Sequence, residues 1–358
     1  MKFTSINPRN ARVEKLATLS RLVRREQLAR PLAAGASVRD FLDALPNIYA
    51  ARDLRVLAQK IARARRSGRV FLLLSGAHPI KTGLGPLICE LVRDKILSAI
   101  GCNGAFMIHD FELALAGRTS EDVGAGLAEG RFGMADETGS FLSQAAASAA
   151  HEGTGLGEVV GREISRRRLK HRESSVLACA YEQGVPVTVH VALGADIVHM
   201  HPQADGAAIG QASMNDFHRL TAVVSRLARG VVLNLGSAVI MPEVFLKALN
   251  LARNLGAKVD NFTAADMDFV RHYRPRVNVV ERPTAGGGQG ILLTGHHELM
   301  FPLLCAAIGE EIGPSERLGK RRGGAGPQLT NASHDHGPQV AHRLDKRDAK
   351  RKGANRLT

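Results

Sequence analysis

Two histidines separated by one residue, in Asp196-Ile-Val-His199-Met-His201-Pro202, form the densest reactive group in the chain. Residues two apart in an extended segment point to the same side. His199 and His201 could therefore hold a metal, with further ligands from His190, Asp266 or the run His296-His297-Glu298. Such a site would support a metal-dependent hydrolase. Alternatively His201 works alone as an acid and base, because imidazole titrates near neutral pH. A second group, Asn103-Gly-Ala-Phe-Met-Ile-His109-Asp110-Phe-Glu112, follows a short apolar run. Its Asp110 could hold a ribose hydroxyl or a cationic substrate, or it could cap a helix.

Side chains of this kind need elements to position them. From Arg69 onward short apolar runs alternate with helical spacing. The runs Val70 to Leu74, Ile96 to Ile100, Val185 to Leu193, Val231 to Leu235 and Ile291 to Leu293 read as strands. Leu84 to Lys95, Ser174 to Gln183, Asn215 to Arg229 and Pro242 to Leu255 read as helices, and the four glycines of Gly153 to Gly161 as a surface loop before Arg162 to His171. Mostly apolar strands separated by helices imply parallel strands covered on both faces, so the class is α/β. In such sheets ligands bind beyond the carboxyl ends of the strands. Polar and glycine-rich groups fall there: Ser75-Gly76-Ala77-His78, Cys102-Asn103-Gly104, Gly194-Ala195-Asp196, Gly236-Ser237 and Thr263-Ala264-Ala265-Asp266. Five such ends predict one crevice. Neither a G-x-G-x-x-G turn nor a P-loop is present.

The flanks differ from this middle. Val13, Leu16, Leu19 and Leu22-Val23, then Leu54, Leu57-Ala58 and Ile61, recur at helical spacing, and arginines fill the polar faces. Residues 1–66 are therefore expected to form a basic helical extension, 67–313 the α/β domain and 314–358 a disordered basic tail. The chain carries a net charge of +14, and residues 315–358 contribute half of it, with eleven Lys and Arg against four Asp and Glu. That tail has almost no large apolar residues with which to offset the entropy of ordering. It is one route to a nucleic-acid partner, and a non-catalytic nucleotide- or RNA-binding protein is the corresponding alternative. With no tryptophan and three tyrosines, stacking platforms for bases are scarce. No apolar run reaches the roughly 18 residues needed to span a membrane, so no membrane partner and a cytoplasmic location are expected. Cys89, Cys102, Cys179 and Cys305 lie far apart, as packed thiols do.

In order along the chain, from about Val70 to Ile308, these pieces resemble deoxyhypusine synthase, the NAD-dependent family that moves an aminobutyl group from spermidine to a lysine. VFLLLSGAHPIKTG resembles its first strand and T-S-N turn. LSAIGCNGAFMIHDFELAL resembles the segment carrying T-A-G-G and a following acid, kept here as Asp110. GADIVHMHP matches the G-D-x-x-x-x-H signature through Asp196 and His201. NFTAADMDFVRHYRP resembles N-T-A-x-E-F-D, keeping Thr263, Ala264 and Asp268 with Asp266 in place of the glutamate, and LMFPLLCAAI resembles the final helix.

The resemblance implies a Rossmann-like parallel sheet flanked by helices, an NAD site, a small-molecule amine substrate and a homotetramer. It places Gly76, His78, Asn103, Gly104, Asp196, Gly236, Ser237, Thr263, Ala264 and Asp266 around the cofactor, with His201 and Asp110 as catalytic residues. VVLNLGSAVIMPEVF resembles the segment bearing the family's catalytic lysine, but Met241 stands there. A thioether cannot form an imine, and Lys247 lies six residues on, about 9 Å along a helix and far around it. The resemblance therefore implies an NAD-binding transferase without the lysine-imine step.

Overall fold

A computed structural model describes residues 3–313. Helices α1 (Val38–Ala44) and α2 (Tyr49–Arg66) precede strand β1 (Phe71–Ser75), which leads through α3 (His78–Lys81) and α4 (Gly85–Arg93) to β2 (Ala99–Asn103). The chain then runs α5 (Gly104–Ala116), α6 (Val123–Ala128), α7 (Asp136–Glu152), α8 (Leu156–Arg166), α9 (Val176–Glu182), β3 (Val187–His190), α10 (Gly206–Val224), β4 (Val231–Leu235) and α11 (Ile240–Asn254). It ends with β5 (Thr263–Asp268), a π-helical turn over Pro275–Glu281, α12 (Arg282–Thr284), β6 (Gln289–Thr294) and α13 (His297–Ile312).

All six strands are parallel, in the order β3-β2-β1-β4-β5-β6. The alternation of side chains along each strand feeds two cores. Leu73, Leu233, Leu235, Ala265 and Met267 pack with α2, α4, α5, α8, α9 and α13 on one face. Leu72, Leu74, Val232 and Ala264 pack with α10 and α11 on the other. The chain winds outward from β1 through β2 to β3, then returns past β1 to β4. This reversal creates a topological switch point between β1 and β4, where neighbouring strands send their following helices to opposite faces.

Three expectations require correction. Val13, Leu16 and Leu22 do not build a helix: residues 3–37 hold only short 3-10 turns, and these three side chains are 90%, 72% and 86% exposed. The spacing is helical, but among the described residues these side chains pack on no apolar surface. The boundary at residue 66 also falls inside a packed unit, because Leu54, Leu57, Ala58 and Ile61 of α2 are buried in the same core as β1. Lastly, Gly153 to Gly161 is not a loop, since α8 begins at Leu156. A Cβ on Gly157 would lie 2.2 Å from the Val187 carbonyl oxygen, and one on Gly161 2.5 Å from that of Leu177. These glycines let a helix press against β3 and α9, a packing use that composition cannot distinguish from a loop.

Asp110 of α5 is fully buried and holds α9 in place. Its carboxylate accepts hydrogen bonds from the Ser175 hydroxyl at 2.5 Å and from the backbone N–H groups of Val176 and Leu177 at 2.6 and 3.2 Å. The expected catalytic role of Asp110 is thereby corrected to a cap for a neighbouring helix, its oxygens being saturated by protein donors. Asp110→Ala strands three buried donors and is expected to cost about 3 kcal/mol or more. Urea denaturation reads this directly, and a loss below about 1 kcal/mol would contradict the assignment.

Candidate functional site

The site is built on two turns at the switch point. Strand β1 ends at Ser75, whose hydroxyl donates to the Gly76 carbonyl at 3.0 Å. The Gly76 N–H donates to the Leu235 carbonyl at 3.1 Å, and the Gly236 N–H to that of Met267 at 3.2 Å, so each turn is fastened to the next strand. Gly236 has a φ of 64°, a left-handed conformation that glycine adopts without strain. A Cβ on Gly76 would stand 2.1 Å from the Gly236 carbonyl oxygen. The turns therefore meet backbone against backbone and form the floor of the crevice.

His297, the first residue of α13, lies over this floor. A Cβ on Gly236 would come within 2.9 Å of its Cε1. The ring is fully buried. Its Nε2 faces the Met267 carbonyl oxygen at 3.3 Å and the Asp268 carboxylate at 3.5 Å, while Nδ1 is buried without a partner among the described residues. An Nε2 proton suits both neighbours. Burial lowers the pKa of His297; the Asp268 charge opposes this and His78 reinforces it. The rings of His78 and His297 are 5.1 Å apart, and that of Phe269 packs 5.4 Å from His78 and 5.7 Å from His297. Asp268 is itself fixed by the Phe269 N–H, which donates to Oδ1 at 2.8 Å.

On the other face of the sheet, buried Asn234 donates through Nδ2 to Asp266 Oδ1 at 2.8 Å and to the Ser237 carbonyl at 3.0 Å. Burial pushes the Asp266 pKa up to about 7; the Asn234 hydrogen bond opposes that shift and the Asp268 carboxylate adds to it. The Ser237 hydroxyl accepts from the Met241 N–H at 3.2 Å and so starts α11. Met241 is fully buried, with its methyl group 3.0 Å from where a Cβ on Gly101 would lie. Lys247 is paired with Glu243 on the surface of α11. No amine therefore enters the crevice from this segment.

At the ends of β2 and β3, the Asn103 side chain accepts from the Phe106 N–H at 2.9 Å and caps its own helix α5. Asp196 lies against Gly104, its Oδ2 2.2 Å from where a Cβ would be, and that oxygen accepts from the Ala192 N–H at 3.2 Å. Burial raises the Asp196 pKa. The segment Ile197–Met200 is a 3-10 helix, not an extended strand. His199 Nδ1 accepts from the Gly194 N–H at 3.2 Å, whereas His201 packs on Gly139 of α7 with Nε2 3.3 Å from Asp136. The shared side expected of His199 and His201 is thus removed. Among the described residues no group of three or more His, Cys, Asp or Glu gathers as metal ligands.

The structure thus brings together Gly76, His78, Gly236, Ser237 and Asp266 at adjacent strand ends, with Gly104 and Asp196 at the end of β2. Thr263 and Ala264 do not join them. They open β5, which runs on to Asp268, so they lie at the opposite end of the sheet. The polar residues of this strand suggested a turn, but Asp266 is a strand residue whose carboxyl is matched by Asn234. Sequence reasoning gave His297 and Asp268 no role in this crevice. No spacing along the chain signals either one: Asp268 closes β5, and His297 opens α13 three residues after β6.

The protein is an α/β protein with a Rossmann-like sheet, six parallel strands flanked by helices. No family model matches the sequence, and no curated protein matches it. Among solved structures, the chain is similar to a conserved LOR/SDH-type protein from Methanococcus maripaludis S2, with 16% identity and a TM-score of 0.47 over 71% of this chain and 68% of that one. It is also similar to a provisionally assigned deoxyhypusine synthase from Entamoeba histolytica, with 10% identity and a TM-score of 0.46 over 78% and 95% of the two chains. AgrE, solved with ornithine and NAD+, aligns at 14% identity and a TM-score of 0.46 over 72% of this chain. That match spans 33% of the AgrE chain.

Asp266 titrates near 4 in an unfolded chain but keeps its proton to about pH 7 in the fold. Its contribution to stability is full below about pH 4 and is lost as the pH rises to about 7. Asp266→Asn keeps an acceptor for Asn234. It is expected to gain on wild type across that window, by at most about 1.4 kcal/mol per pH unit. Urea melts at pH 5 and pH 8 compare the two proteins, and a difference independent of pH would contradict the buried, protonated carboxyl.

Proposed function

We propose that the chain binds NAD across the switch point between β1 and β4 and acts on a small amine. The observation that carries this reading is the backbone contact of Gly76 with Gly236 at that point, overlaid by His297 and His78. Open α/β sheets take dinucleotides at the switch, where turns offer backbone close to the ligand. The carboxylate that holds a ribose hydroxyl in such folds has a counterpart in Asp196, set against the first turn of α5 at Gly104. These residues fit the group. When bound, a nicotinamide supplies hydride transfer.

The chain's own residues set the rest. Asp268 puts a carboxylate at the end of β5, beside the Asp266 carboxyl that burial keeps protonated to about pH 7, and its field favours a cationic amine over an anion. His78 is the half-buried imidazole over the floor and is assigned the substrate proton. His297, kept neutral by burial, positions His78 without adding a positive charge beside the amine. The resemblance to deoxyhypusine synthase agrees with an amine substrate. Met241 in the core excludes a covalent lysine intermediate at that position, so the amine must be handled directly.

Isothermal titration with NAD tests the reading. Saturable binding with a dissociation constant of roughly 1 mM or tighter is expected. Asp196→Ala should weaken it about tenfold, the loss of one charge-assisted hydrogen bond. No binding at millimolar NAD would reject the proposal, and binding indifferent to Asp196→Ala would reject the placement of the ribose.

A further inference from the structure

At the end of the sheet opposite the crevice lies a cavity of about 340 Å³. Lys60 and Arg63 line it from the last turns of α2, Arg69 from the approach to β1, Arg229 from the approach to β4, Asn261 from the approach to β5 and Thr263 from its first position. No acid lines it. The other arginines of this stretch are engaged: Arg65 donates to the Asp94 carbonyl at 3.3 Å and Arg66 to that of Glu311 at 3.2 Å. Among the described residues, none of the four cations in the cavity makes an ion pair or a side-chain hydrogen bond. Asp260, next to Asn261, meets Arg229 only through the main chain, its carbonyl accepting the Arg229 N–H at 3.1 Å.

Four like charges around one depression repel each other, and among the described residues no acid lines the depression to offset that cost. Arg229 adds backbone strain. It has a φ of 60° and Asn261 one of 53°, two of the six described residues other than glycine with positive φ. Asparagine tolerates this region because its short side chain can bond locally, whereas a long side chain at the same φ is disfavoured by roughly 1 kcal/mol. Observed strain beside a charged cavity points toward function.

We propose that this cavity is a binding site for a compact polyphosphate anion, separate from the crevice at the switch point. Its volume falls at the lower end of the roughly 300 to 1,000 Å³ of small-molecule sites. Four cations match a ligand with two or three phosphate groups. Among the described residues no aromatic side chain lines the cavity to stack a base, so the phosphate chain is recognised and a nucleoside is not.

Calorimetry of the full chain with inorganic tripolyphosphate tests this, with ATP and a short single-stranded RNA as further arms. The comparison variant is Arg63→Ala with Arg229→Ala; both side chains are exposed, and a thermal melt verifies folding. Tripolyphosphate is expected to bind the wild type and to weaken at least tenfold in the variant, with ATP binding no more tightly than tripolyphosphate. The tail beyond residue 313 is the same in both proteins, so equal binding by both would assign the anion elsewhere and overturn the proposal. So would an absence of binding by the wild type, a strong preference for ATP, or binding of the RNA alone that depends on Arg63 and Arg229.

Discussion

The contact between the backbones of Gly76 and Gly236 sets the geometry of everything above it. With no Cβ on either residue, β1 and β4 keep their spacing through the turns, and the two glycine amides donate onward to the carbonyls of Leu235 and Met267. A side chain at Gly76 would have to part the strands where the sheet reverses its winding. A side chain at Gly236 would lift His297, and with it the ring stack of His78 and Phe269. The polar groups of the crevice are thus positioned by buried, paired parallel strands.

Buried carboxyls fasten the surrounding elements to this centre. Asp110 ties α9 to α5. Asp216 of α10 accepts the N–H groups of Gly157 and Val189 at 3.0 and 2.9 Å, joining α8 and β3, and burial raises its pKa to about 7. Asp266 is held by Asn234 across β4 and β5. All three are acids with elevated pKa in a strongly basic chain, so an elevated pKa here is mostly a mark of structural connection. Only Asp266 stands next to the candidate site, beside Asp268.

The layered α/β architecture was legible because its strands are continuous apolar runs: Val231–Leu235 is the strand its composition implies, residue for residue. Strands with polar positions were misread. Ile96 to Ile100 gives way to Ala99–Asn103, where Asn103 is both the strand end and the cap of α5, and Thr263–Asp268 passed for a turn because Asp266 is matched by a partner on another strand. The site was legible as a set of strand ends. What singles out His297 and Asp268 is proximity across β4, β5 and α13, which no spacing along the chain encodes. Exclusion of the His-x-His metal pair also needed coordinates, because the 3-10 turn separates two side chains that an extended segment would have aligned.

The central claim is that the floor formed by Gly76 and Gly236 is where a dinucleotide sits. Backbone hydrogen exchange with and without saturating NAD measures it most directly. The account predicts slowed exchange at residues 76–78 and 236–239 together with the segment around Asp196. Protection absent from both turns, or confined to the opposite end of the sheet around Arg63 and Arg229, would contradict it.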